Sequence, residues 1–96
     1  MINEHHLCIP RVNTNISTHD VRKVFEKIFG LNSIGDITRR ISSNKSISHC
    51  PYFIHVKTWK NDPSVNHIKE LFLQGKAINI VYSGDRFWKC SAARQS

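Results

Sequence analysis

The sequence predicts the α+β fold class with elements in the order β-α-β-β-α-β, and three observations carry that expectation. Two segments show capped apolar periodicity of about 3.6 residues, the mark of amphipathic helices. Short runs rich in Val, Ile, Tyr and Phe precede, separate and follow them. A polar loop then divides the middle run, so that two strands rather than one lie between the helices.

The first strand is read from Leu7, Ile9 and Val12, with Cys8 and Pro10 interleaved, as about six residues ending near Asn13. Ser17 and Asp20 match the S-x-x-[DE] capping box, and Val21, Val24, Phe25 and Ile28 follow on one helical face before Gly30. The second and third strands are placed at Ile34–Ile41 and Ile47–Trp59, joined as a hairpin by the polar loop Ser42 to Ser46. Asn61-Asp62-Pro63 supplies a cap and a first-turn proline, after which Val65, Ile68, Leu71 and Phe72 line one face until Gly75. A fourth strand is expected over Ala77–Tyr82, bounded by Gly75 and by Ser83-Gly84. This split βαβ order has a usual solution. It is the ferredoxin-like arrangement, a four-stranded antiparallel sheet with two helices on one face and the other face open. The path of Asp85–Ser96, with Phe87 and Trp88, stays open between extending the last strand and folding back over the sheet.

Ninety-six residues suffice for one hydrophobic core, so residues 1–96 are read as a single domain, with residues 1–6 and about 91–96 expected to be flexible. Lys and Arg number 14 against 7 Asp and Glu, a formal charge of +7, while 40% of residues are hydrophobic. That balance points to a folded chain with an acidic partner. No run approaches the ~20 apolar residues of a membrane span, and the N-terminus is polar, so no membrane association and an intracellular location are expected. The three cysteines, Cys8, Cys50 and Cys90, lack C-x-x-C spacing and are read as free thiols.

The segment His49-Cys50-Pro51-Tyr52-Phe53-Ile54-His55-Val56 resembles the signature octamer of the RNA recognition motif (RRM). There a basic residue and a glycine precede alternating aromatic and aliphatic positions. Leu7-Cys8-Ile9-Pro10-Arg11-Val12 resembles the family's shorter first-strand signature, and Leu73 to Ile78 resembles its passage from second helix to fourth strand. Ile9 to Val12, Phe53-Ile54-His55 and Phe87-Trp88-Lys89 are also similar to segments of small RRM-like proteins of large DNA viruses. The viral likeness implies a place in the host cytoplasm or nucleus, or in the virion. The family likeness implies a single strand, RNA or DNA, laid on the open sheet with its bases stacked on aromatic rings. Phe53 matches one such ring position. Pro51 stands at a second, Cys8 at a third, and His49 and Cys50 replace the leading basic residue and glycine.

Strand alternation sends Tyr52, Ile54 and Val56 toward the helices and Pro51, Phe53 and His55 to the open face. Cys8 and Pro10 join that face from the first strand, and Asn79 and Val81 from the fourth. The same alternation drives Arg39 into the core, where an unpaired guanidinium is too costly. A β-bulge over Thr38 to Arg40 is therefore expected, turning Arg39 and Arg40 outward so that at least one meets a phosphate or base. Lys57, Lys60, Lys89 and Arg94 are candidate phosphate contacts. Trp59 and Trp88 are read first as packing residues, with stacking rings as the alternative.

Zinc is not expected, because Cys8, Cys50, His49 and His55 lack close-spaced ligand pairs. His5 and His6 are read as exposed and inert. No phosphate loop, H-E-x-x-H or nucleophile elbow occurs, and His49 and Cys50 are strand neighbours that face opposite ways, so neither catalysis nor a cofactor is expected. The alternative function is a protein-interaction module with a degenerate RRM fold, the homodimer among its forms.

Overall fold

The computed structural model describes residues 2–41, 43 and 46–94, with the side chains of residues 2–4 and 94 outside the description. Seven elements follow one another: β1 (Ile2–Asn13), α1 (Thr18–Phe29), β2 (Ile34–Arg39), β3 (His49–Val56), α2 (Pro63–Leu73), β4 (Ile78–Ser83) and β5 (Arg86–Arg94). They make an α+β molecule with two helices and one five-stranded antiparallel sheet in the order β2-β3-β1-β5-β4.

The helices start where their caps are. Ser17 Oγ accepts from the Asp20 amide at 3.1 Å, and Asp62 accepts from Ser64 and Val65 ahead of Pro63 in the first turn. Each helix buries one stripe: Val21, Phe25 and Phe29 from α1, Val65 and Phe72 from α2. Against these pack Leu7, Ile9, Cys50, Tyr52, Ile54, Val56, Ile80, Trp88 and Cys90 from the sheet. Alternation is strict along β3, whose residues are buried and half-buried by turns. Trp59 caps the far end of the core, edge-on to Phe29 at 5.5 Å and under Lys69. Both tryptophans are thus packing residues, and neither is a ring of the open face.

Two expectations about the sheet are corrected. It has five strands, not four, and the segment over Ala77–Tyr82 is not the neighbour of β1. Gly84, at φ +53°, reverses the chain between Ser83 and Arg86, so β4 and β5 form a hairpin with Ile80 opposite Trp88. β5 then continues beside β1, pairing Ser91 with Cys8 and Ala92 with Leu7, and pushes β4 to the edge. Both chain ends expected to be flexible consequently lie in paired strands, through Ile2 and Arg94. Residues 1, 95 and 96, and residues 42, 44 and 45 of the expected hairpin loop, are outside the described residues.

The third correction concerns the second strand. Its irregularity lies between Ile34 and Ile37, not over Thr38 to Arg40. Gly35 explains the location: a Cβ there would sit 2.7 Å from His55 Nδ1, so the close approach suits a residue without a side chain. Arg22 of α1 secures it, donating to the Ile34 and Gly35 carbonyls at 2.9 and 2.6 Å.

Candidate nucleic-acid interface

Alternation leaves a second face of the sheet uncovered by helices. Its centre is a transverse row in which Thr38, Phe53, Cys8 and Ser91 stand side by side on β2, β3, β1 and β5. Phe53 is half-buried, and the Arg40 guanidinium lies 6.0 Å from its ring centroid, within cation–π range. One residue pair farther along, His6 and His55 face each other across β1 and β3 with rings stacked 5.0 Å apart. A shallow hollow of about 260 Å³ joins these groups, bordered by Asp36, Thr38, Phe53, His6 and His55. Burial pushes the Cys8 thiol pKa up, so the centre of the row carries a neutral sulfhydryl at neutral pH.

Across β1 the face continues into the hairpin. Pro10 is exposed, and Asn79 and Lys89 are cross-strand partners, both exposed. Val81 and Phe87 form the next pair, 56% and 47% exposed, large apolar groups turned away from the helices. Phe87 lies two strands from Phe53, and Trp88 points into the core, so among the described residues the C-terminal segment runs within the sheet, on the far side of β1 from the Phe53 ring, instead of covering it.

The expected site residues therefore divide. Cys8, Phe53, His55 and Arg40 come together, and Pro10, Asn79 and Lys89 share their face at the hairpin end. Lys57 is exposed just past β3, beside Gly35. Lys60 lies against Gly30 at the end of α1, away from that face. The Arg94 side chain is outside the described residues.

Arg39 is corrected outright. It sits on the helix side, at the open end of the core, and Nη1 donates to the carbonyls of Thr14 (3.0 Å) and Ile16 (3.3 Å) and to Tyr52 Oη (2.9 Å). Tyr52 in turn donates to the Ile16 carbonyl. Alternation places this side chain on the helix side of the sheet, opposite Tyr52, but the guanidinium stays exposed there, so no bulge is needed to spare it burial, and loop acceptors hold it in place.

Two residues of the face were not foreseen. His6, expected to be inert, stacks on His55, and its even-numbered parity with Cys8 and Pro10 was the signal for it. His5, on the opposite side, donates from Nδ1 to the Val56 carbonyl at 3.0 Å. The second is Phe87, whose alternation with Trp88, Lys89 and Cys90 marks a two-faced strand.

Among the described residues no three of His, Cys, Asp and Glu converge, and Cys8 and Cys50 face opposite sides of the sheet. Among the described residues neither helix is long and apolar enough to cross a membrane. No known protein family, curated protein or solved structure matches the chain.

Proposed function

We propose that this chain is a non-catalytic binder of single-stranded nucleic acid, RNA in the first instance, that lays the strand across the open face of its sheet. In this reading the fold is an RRM-like variant of the ferredoxin-like arrangement, in which β5 occupies the place of the fourth strand beside β1. The observation that carries it is the Phe53 ring, set in a helix-free face, flanked by Arg40 and not overlaid by the C-terminal strand. A planar ring beside a guanidinium offers a base both a stacking surface and a cation. Cys8, Pro10, His55, Asn79 and Lys89 extend that surface, and the +7 charge supplies attraction without sequence preference.

The test is fluorescence anisotropy with short single-stranded oligonucleotides at low salt, RNA and DNA in parallel. Phe53→Ala is expected to weaken binding by about 1–3 kcal/mol, the worth of one stacked base. Absence of binding to every oligonucleotide at low salt would sink the reading.

A second reading, a protein-interaction module, has one specific observation in its favour. β4 is an edge strand, Ile-Asn-Ile-Val-Tyr-Ser, with no charge and no proline to guard it. Another strand, from a partner or a second copy, could add there. Sedimentation velocity over a range of concentrations, with Val81→Lys as the control, separates the two: mass that rises with concentration and falls back in the variant favours edge association.

A further inference from the structure

The sheet is split at one end, and the split has a cause in the sequence. β5 follows β1 only through Ser91 and Cys8; continued in register, the next positions would bring Lys89 opposite Pro10. Proline has no N–H for a ladder, and β1 carries an extra residue between Ile9 and Val12 relative to β3. From Cys90 back to Arg86, β5 pairs with β4 instead. Between the last residues of β1 and the β4–β5 hairpin a groove of about 490 Å³ remains.

We propose that this groove is a mononucleotide site, in which Arg11 and Arg86 hold a phosphate and Phe87 presents a ring to the attached base. This deepens the reading above and rests on it for the class of ligand. The two arginines stand on opposite walls, Arg11 on β1 and Arg86 at the start of β5, and both are exposed. Among the described residues neither guanidinium has a hydrogen-bonding or ionic partner, and no Asp or Glu lines the groove. Guanidinium groups on two sides, with no competing carboxylate, suit a phosphate.

The remainder of the wall suits a base. Phe87 is 47% exposed, and behind it Tyr82 and Trp88 stack at 4.2 Å with planes 13° apart, which stiffens the hairpin wall. Asn15 and His49 add polar edges on the β1 side. The volume falls within the range of about 300–1,000 Å³ usual for small-ligand sites. The shared chemistry is a base bearing a phosphate, which a free nucleotide and the 5′ end of a strand both supply.

The experiment is a titration of the full chain with adenosine monophosphate, adenosine and inorganic phosphate, followed by calorimetry and by amide chemical shifts. The monophosphate is expected to move the amides of Arg11, Asn15, Arg86 and Phe87, and to bind at least about tenfold more tightly than either half alone. Arg86→Ala and Phe87→Ala should each weaken it about tenfold with an unchanged circular dichroism spectrum, whereas Phe53→Ala should leave it unaltered. A 5′-phosphorylated oligonucleotide that outbinds its 5′-hydroxyl counterpart only while Arg86 is present assigns the site to strand ends. A monophosphate that binds at least as tightly as the phosphorylated strand assigns it to free nucleotide.

Shifts confined to the neighbourhood of Phe53, or a Phe87→Ala variant with native affinity, would overturn the groove. If oligonucleotides bind in a Phe53-dependent manner while the groove amides stay still, only the groove assignment fails. If the monophosphate moves those amides and no oligonucleotide binds the sheet, only the sheet reading fails.

Discussion

Arg39 and Phe53 lie on adjacent strands but on opposite faces of the sheet, and substitution should separate their roles. Arg39 donates to two loop carbonyls and to Tyr52, so it ties the loop after β1 to the core. Arg39→Ala removes charge-assisted bonds at an accessible site and is expected to lower stability by about 1–2 kcal/mol. Oligonucleotide affinity should stay unchanged, as thermal denaturation and anisotropy on the same sample will show. Cys90 gives a second test at this scale. Burial first, and the neighbouring Cys8 thiol second, raise its pKa far above the ordinary 9.0. The unfolded thiol ionises near its ordinary value and the folded one does not, so above about pH 9 the unfolded state holds fewer protons. Stability then falls with rising pH, by at most about 1.4 kcal/mol per unit from this group. Denaturant unfolding between pH 8 and 10.5 should show a steeper decline for the native chain than for Cys90→Ala. Equal slopes would mean that Cys90 is not the group responsible.

Among the elements, both helices were legible because their signals are local: Ser17 and Asp62 are caps within three residues of the amides they serve, and the apolar stripe repeats within each turn. Strand faces were legible for the same reason, as the placements of Tyr52, Ile54, Phe53 and Cys8 illustrate. Which strand lies beside β1 was not. The alternation of Trp88, Cys90 and Ala92 with Phe87, Lys89 and Ser91 marks a strand, but its choice of partner is settled by the Gly84 turn and by packing between residues more than eighty apart in sequence. Arg39 was illegible in the same way, since its acceptors belong to a loop some 25 residues upstream. The turn itself is open to test. Gly84 has φ +53°, a left-handed value, with nothing within 4 Å of where a Cβ would stand, so its substitution cost is conformational and not steric. Gly84→Ala is expected to lower stability by about 1 kcal/mol. A D-alanine at the same position, introduced by chemical synthesis, should restore it. If both variants lose the same stability, crowding rather than backbone handedness sets the cost.

For the whole molecule, a charge of +7 does not by itself say where the proposed strand would lie, because the cations are spread over both sides of the sheet. Lys23 and Lys27 are exposed on α1, and Lys76 just after α2, whereas Arg40, Lys89 and Arg86 border the open face and the hairpin. The salt dependence of binding makes the distinction that total charge cannot. Each phosphate neutralised on a single strand contributes a slope of about −0.7 in log affinity against log salt concentration. Arg40→Ala and Lys89→Ala should each make the slope shallower by about that amount. The triple variant Lys23→Ala, Lys27→Ala, Lys76→Ala removes more charge and is expected to weaken binding modestly at low salt through the long-range field, with the slope unaltered. A slope that instead follows net charge, whichever lysines are removed, would mean that the strand is held by a diffuse atmosphere around the molecule and not on the face that displays Phe53.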